Sequence, residues 1–363
     1  MVDCDALIVG GGPAGSTCAR ALRRAGWNVI VMDRAQFPRD KVCAGWLTPP
    51  VFDLLELDPS ELRDAGLTLQ PITGFVTSVL GASPLETQYG DVVSYAIRRC
   101  EFDDFLLRRA RVRVLDGTPL STLRATEGVW IANEQVRSPV VIGAGGHFCP
   151  VARHLRGDAA TPQPVVAKEA EYRLEQIDSR VAKETPELFF CHDLEGYGWC
   201  VRKGQYVNVG IGRRDKVNFS AQVEAFAAFL EGSGKAPGAT RVRWRGHAYL
   251  ASGVGAQRVV GDGVVLIGDA AGLAYPESGE GIKPAIESGL LAARTLIDAA
   301  RRHTIDDLHP YEVQLRRLHP QVRPRRGPLT RAITATGRAL LRSRTFTRHV
   351  MLDRWFLRRQ GAP

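Results

Sequence analysis

The chain has 363 residues, 44% of them apolar, 24% charged and 7% aromatic, a balance that excludes disordered, collagenous and membrane-spanning classes. A single core tends to stop growing near ~250–300 residues, so two lobes are expected. The net charge of +9 is unevenly held: residues 301–363 carry 15 Arg against four acids, net +11, and the first 300 residues carry −2, which speaks against a nucleic-acid partner for the body of the fold. Arginine outnumbers lysine 41 to 7 overall, so composition bias accounts for much of the basicity. The seven cysteines (4, 18, 43, 100, 149, 191, 200) form no C-x-x-C pair and no zinc spacing, which fits free thiols in a reducing cytoplasm, with no disulfide framework and no metal. No apolar run approaches the ~18 residues of a membrane span. The N-terminus enters a strand at once without a basic n-region, so no secretory signal is expected.

In chain order, residues 4–10 read as a buried strand, 13–25 as a helix with Pro13 in its first turn and Gly26 closing it, and 28–33 as a second strand. That is a β-α-β unit, which implies a parallel sheet with a right-handed crossover. Past residue 50 the texture changes: short alternating segments at 72–97 read as antiparallel strands, and helical spacing returns at 101–111. Strands follow near 112–115, 129–132 and 139–143, then 187–193, 197–203 and 206–212, with a helix at 220–231. Residues 259–268 read as one buried strand and 280–302 as a long Ala-rich helix.

Two glycine motifs carry the chemistry. Gly10-Gly11-Gly12-Pro13-Ala14-Gly15 satisfies G-x-G-x-x-G between a strand and a helix. Gly10 permits a tight turn, Gly12 lets a pyrophosphate approach the backbone, and Gly15 lets helix and strand pack closely, while the helix N-terminus faces the phosphates. Asp33, followed by Arg34, ends the second strand 18 residues after Gly15, where an acid accepts hydrogen bonds from an adenosine ribose. The second motif is Gly268-Asp269-Ala270-Ala271-Gly272 with Tyr275 to Ile282 after it. A helix starting near Gly279 would direct its positive N-terminal field at an anion, and Gly279 and Gly281 would leave the backbone N–H groups accessible.

These paired motifs resemble the flavoprotein superfamily that includes p-hydroxybenzoate hydroxylase, and GDAAG…P…GEGI is most similar to its geranylgeranyl reductase branch. The resemblance implies FAD, with Asp269 at the ribityl chain and Pro276 through Ile282 (Gly279, Gly281) beside the flavin ring. It extends to Lys41-Val42-Cys43-Ala44, similar to the family's K-x-C-G, where the cysteine lies near the flavin; a small packing thiol is the alternative. Arg99 in Arg99-x-x-Phe102-Asp103 resembles an FAD-contacting arginine, with a surface ion pair as the alternative. Gly145 stands where the family commonly has the Asp of G-A-D-G, which puts direct reduction by NAD(P)H in doubt. Tyr197 and Trp199 resemble half of the reductases' Y-x-W-x-F-P, whose ring-bearing face lines the substrate cavity; packing in a sheet core is the alternative.

The expectation is an α/β (α+β) fold: a Rossmann-like FAD-binding lobe, an inserted antiparallel-sheet substrate lobe and a helical C-terminal tail. The segments expected are FAD-binding 1–71, 99–164 and 251–302, substrate lobe 72–98 and 165–250, and tail 303–363. The expected function is an FAD-dependent oxidoreductase saturating a C=C bond of a hydrophobic or lipid substrate, by hydride transfer from flavin N5. Candidate catalytic residues are Cys43, Tyr197 and Trp199. The alternatives are a monooxygenase working through a flavin C4a-hydroperoxide and a flavin-binding protein without turnover. Partners implied are a separate electron donor, reductase or ferredoxin, and an anionic membrane surface for the tail. Its large apolar residues (Leu329, Ile333, Leu340, Leu341, Phe346, Val350, Trp355, Phe356) recur at helical intervals among arginines, which fits either that surface or docking on the FAD lobe.

Overall fold

In the computed structural model, residues 1–157, 163–173, 180–251, 254–255, 257–321 and 330–359 are described. The apolar runs Ala6–Val9 and Val29–Met32 form adjacent parallel strands with every residue buried, joined by the helix Pro13–Arg24. Continuous apolar runs of this kind suit a parallel sheet covered on both faces. The sheet runs, in spatial order, Val260–Gly261, Val264–Leu266, Val141–Gly143, Ala6–Val9, Val29–Met32 and Arg113–Leu115, parallel except for the first pairing. The stretch 259–268 is thus a hairpin and not one strand, because Asp262-Gly263 turns the chain, with Gly263 at φ +63°. Helices Pro13–Arg24 and Ile282–Asp298 pack so closely that a Cβ on Gly289 would lie 2.5 Å from the Ala14 carbonyl oxygen. The helix Ile305–Leu318 buries Leu308, Tyr311 and Leu315 in the same core, and the Tyr311 hydroxyl donates to Leu266 O at 2.6 Å.

The chain divides into two units: Met1–Asp40, Cys100–Pro162 and Tyr249–Arg323 in one, Lys41–Arg99, Gln163–Ala248 and Pro324–Pro363 in the other. The transition therefore falls at Lys41, thirty residues before the expected 71. The reason is long-range pairing: Trp46–Leu47 and Leu69–Ile72 flank Ser94–Ile97 in a three-stranded antiparallel sheet. No local periodicity announces two short strands that find a partner tens of residues away. The expected tail divides as well, its first helix belonging to the first unit and its end to the second.

The second unit is built on a seven-stranded sheet ordered Arg245–Tyr249, Val165–Arg173, Tyr206–Arg213, Gly196–Lys203, Glu187–Phe190, Gly74–Val79, Leu85–Gln88. One pairing, Glu187–Phe190 with Gly74–Val79, is parallel, so the sheet is mixed and not wholly antiparallel. These strands come from different segments, so no hairpin fixes their direction. One sheet face packs on the helix Phe219–Gly232: Ala170, Tyr172, Phe189, Cys200, Val207, Val209 and Ile211 bury against Val223, Phe226, Ala227 and Leu230. The other face carries the side chains that matter below.

Candidate active site

In the first unit, of the three consensus glycines of the first motif, the fold itself requires Gly10 and Gly15 but not Gly12. A Cβ on Gly10, at φ +119°, would lie 2.3 Å from Ala144 O, and one on Gly15 would lie 1.9 Å from Gly10 O. A Cβ on Gly12 would meet only the end of the Arg39 guanidinium, at 3.3 Å. Gly12 is the N-cap of the helix and Pro13 sits in its first turn, so N–H groups at this end have no helical acceptor. The buried Asp33 accepts from Gly11 N at 2.7 Å through Oδ2 and from Ala35 N at 2.9 Å through Oδ1. Each oxygen keeps a lone pair, which leaves it able to accept a ribose hydroxyl. Arg34 is exposed. Arg39, which the sequence did not single out, is held by the fully buried Asp103 at 3.2 Å and lies over the Phe37 ring. That puts a fixed cation beside Gly12.

The second motif lies in the same unit. Asp269 occupies a 3-10 turn, Gly268–Ala270, fastened by Gly268 N donating to the buried Ser288 Oγ at 2.9 Å. The following helix starts at Ile282 with Gly281 as N-cap, not near Gly279. Gly279 belongs to the preceding loop, closed by Gly279 N to Tyr275 O (2.8 Å) and Tyr275 N to Glu280 O (2.9 Å). At φ +70° its missing side chain leaves room for the Tyr249 hydroxyl. A Cβ on Gly281 would lie 3.2 Å from Asp269 Oδ1, so the Asp269 carboxylate stands at the helix N-terminus. Pro276 is half-buried, Ile282 buried and Gly145 exposed.

In the second unit, strand alternation puts Tyr197, Trp199 and Lys203 on the sheet face opposite the helix Phe219–Gly232. The two rings are therefore not part of the core formed with that helix. Register adds Phe190, Asn208, Gly210, Glu169 and Glu171 to the same face. One side of it is aromatic: Tyr197 has ring neighbours Phe190 (5.8 Å), Trp199 (6.2 Å) and Phe356 (5.4 Å), and Phe356 reaches Trp46, which stacks on Phe75 at 4.8 Å. The indole of Trp199 lies across Gly210, where a Cβ would come within 2.1 Å of the ring.

The other side of the face is polar and dry. Trp199 Nε1 donates to Asn208 Oδ1 at 2.7 Å, and Asn208 Nδ2 donates to Glu169 Oε2 at 3.1 Å. Glu169 Oε2 also accepts from Cys43 N at 2.8 Å, while Lys203 Nζ donates to Cys43 O and to Glu171 Oε2, both at 3.2 Å. Arg98 donates to Glu171 Oε1 at 2.9 Å and lies 3.7 Å over the Tyr206 ring. Burial pushes the Glu169 carboxyl above the usual glutamate range. Burial acts on Glu171 in the same sense, but Lys203 and then Arg98 outweigh it and hold that carboxyl below the range. The half-buried Cys43 thiol accepts from Gly45 N at 3.3 Å, and Lys41 Nζ meets His247 Nε2 at 2.5 Å.

The expected residues thus fall in two sets. Gly10, Gly12, Pro13, Ala14, Gly15, Asp33, Arg34, Gly145, Asp269, Pro276, Gly279, Gly281 and Ile282 lie in the first unit; Lys41, Cys43, Arg99, Tyr197 and Trp199 lie in the second. Arg99 opens the helix Arg99–Ala110. Glu169, Glu171, Lys203 and Asn208 escaped the sequence reading because charges alternating along a strand read as a solvated face.

A parallel sheet with a glycine cradle at its first helix, joined to a second sheet-bearing unit, defines an FAD-dependent oxidoreductase class. A family described as FAD binding domain matches residues 3–59. The chain is 31% identical to digeranylgeranylglycerophospholipid reductase of Methanothrix thermoacetophila, over 82% of this chain and 78% of that protein. It is 29% identical to menaquinone reductase of Mycobacterium tuberculosis, over 80% and 76%. A geranylgeranyl bacteriochlorophyll reductase-like protein from Thermoplasma acidophilum shares the fold with TM-score 0.73 and 22% identity, over 93% of this chain and 87% of that one. The chain belongs to the geranylgeranyl reductase-like family of FAD-dependent oxidoreductases.

Proposed function

We propose that this enzyme saturates carbon–carbon double bonds in a prenyl chain, carried by a lipid such as the digeranylgeranylglycerophospholipid of its archaeal relative. The observation behind this reading is the aromatic sheet face of Phe190, Tyr197 and Trp199 with the Cys43 segment hydrogen-bonded to its polar side. Flat, rigid rings suit a chain of alkenes that offers no polar group along its length.

The glycine cradle fits the cofactor, since Gly12 is a position where the fold does not itself need the missing Cβ. Bound FAD supplies two-electron hydride chemistry. The N–H groups around Gly12 and the Arg39 guanidinium would take the pyrophosphate, Asp33 the ribose, and Asp269 the ribityl chain. The N-terminus of helix Ile282–Asp298 would stabilise negative charge on the ring. In the second unit, Tyr197 and Trp199 would orient the alkene, and Cys43 is the candidate group at its reacting carbons. Reduction would break the π bond and form two C–H bonds, one from a hydride that bound reduced FAD would supply with its two electrons and one from a proton.

The electron source in this reading is a separate reductase or ferredoxin, because Gly145 offers no carboxylate where the family has one. A lipid substrate also needs a route from the bilayer, and the Arg-rich end of the chain is the proposed contact with an anionic surface. Among the described residues no helix is long and apolar enough to cross a membrane. The test is mass spectrometry of products from chemically reduced holoenzyme and prenylated lipid without oxygen. A gain of two hydrogens per double bond supports the reading, and unchanged lipid with an oxygenated product in air would replace it with the monooxygenase alternative.

A further inference from the structure

The polar side of the substrate-facing sheet is costly by any stability argument. Glu169, Lys203 and Asn208 are only 2%, 1% and 0% exposed. Burying ionisable groups such as Glu169 and Lys203 carries a large desolvation penalty, and an apolar face of the same volume would hold a sheet as well. The network does something an apolar face could not. It grips the Cys43 peptide at both ends, the N–H through Glu169 and the C=O through Lys203. A single side chain, Asn208, then ties Glu169 to the Trp199 indole.

We propose that Glu169, Asn208 and Lys203 are positioning residues that lock the Cys43 segment and the Trp199 ring into one fixed geometry. The inference rests on the reading above that Cys43 and Trp199 face the substrate. Glu169 acts through Oε2 as a double acceptor. Glutamine keeps a carbonyl oxygen that can accept both bonds, so it reproduces what the network needs. Lys203 keeps Glu171 as counter-ion, so neutralising Glu169 strands no charge. Geometry is the cargo here: a misplacement of ~1 Å at a reacting group costs on the order of 100-fold in rate.

The experiment compares E169A and E169Q with the wild-type holoenzyme in three readouts: kcat and KM on prenylated lipid, the rate of Cys43 alkylation by iodoacetamide in a variant lacking the exposable Cys100, and tryptophan emission. Flavin content and thermal midpoint establish that each variant is folded. E169A should lower kcat by about 10- to 100-fold, change the alkylation rate and shift the emission, and E169Q should restore all three to within about threefold. If E169A is folded and leaves alkylation and emission unchanged, the positioning role is overturned. If E169Q is as impaired as E169A, the role is overturned in favour of a proton-donating or charged Glu169. If E169A does not fold, N208A serves in its place, breaking the link to Trp199 while leaving Cys43 N bound to Glu169. Alkylation and emission need no substrate. An enzyme inactive on every prenyl lipid, yet responding this way, would refute the proposed function and leave the positioning role standing.

Discussion

Each glycine of the first motif answers a different demand, and substitution should separate them. Gly15 is excluded from any side chain by Gly10 O at 1.9 Å, so Gly15→Ala should fail to fold. The Cβ of Gly12→Val meets only the end of the Arg39 guanidinium, at 3.3 Å. The variant should therefore melt within a few degrees of the wild-type apoprotein and lose bound FAD by more than tenfold, read from flavin absorbance against circular dichroism. Full flavin occupancy in Gly12→Val would remove the cradle from the account. Gly145 poses a second question. A Cβ there would lie 3.2 Å from Cys149 Cα and 3.3 Å from its sulfur, at an ordinary φ of −77°, so a small shift admits aspartate. Gly145→Asp should raise direct reduction by NADPH, and stopped-flow absorbance checks it. A wild-type rate already within the ~1–10³ s⁻¹ typical of enzymes would contradict the separate donor.

At the scale of elements, the two-faced sheet of the second unit makes two demands. Trp199 needs Gly210 beneath it, so Gly210→Ala should displace the indole, destabilise by about 1–3 kcal/mol through overpacking, and lower activity more than that loss alone explains. The Glu171 ion pairs set a pH dependence. The folded pKa of Glu171 is depressed, so its stabilising contribution is present above the ordinary glutamate value and is lost as pH falls through the lower folded value. Glu169, raised by burial, works in the opposite sense: its contribution is present at low pH and lost as pH rises through its folded value. Glu171→Gln should flatten the acid limb of a urea-midpoint profile against pH. It should also destabilise at neutral pH by about 3–5 kcal/mol, because Lys203 stays buried without its counter-ion. Parallel acid limbs in the two proteins would show that Glu171 does not titrate as argued.

The C-terminal element shows why period matters. The α-helical spacing of the tail's apolar stripe points Phe346, Val350, Trp355 and Phe356 to one face. Of that stripe Phe356 is buried and Phe346, Val350 and Trp355 are half-buried, and the other buried positions are Thr347, Met351, Leu352, Asp353 and Leu357. The segment is π-helical, with Leu357 N bonding Leu352 O, and the wider turn brings Thr347, Met351 and Leu352 inward beside Phe356. It is fastened in the second unit, not on the FAD lobe: Tyr89 Oη donates to Asp353 Oδ1 at 2.8 Å, and Phe356 packs on Trp46, Phe190 and Tyr197. Leu340 stays exposed, and Leu329 and the Ile333 side chain lie outside the described residues.

For the whole molecule, what was legible in the sequence is what local pattern encodes. The β-α-β start, both glycine motifs, the aromatic strand and the change of texture between units all depend on neighbours within about twenty residues. The position of Lys41 at the division, the hold of Glu169 on Cys43 and the seat of Phe356 depend on partners 126 residues apart or more, or on a strand register no pattern announces. Truncation after Arg326 should accordingly unfold the second unit by uncovering Trp46, Phe190 and Tyr197. A truncated protein with wild-type stability, and with salt-sensitive binding to anionic vesicles abolished, would make the tail a membrane contact alone. The central claim, hydride delivery to a prenyl alkene, is tested most directly by anaerobic stopped-flow mixing of reduced holoenzyme with digeranylgeranylglycerophospholipid, followed at the flavin absorbance. The account predicts reoxidation without oxygen, one flavin per double bond saturated; a flavin that stays reduced until oxygen enters would contradict it.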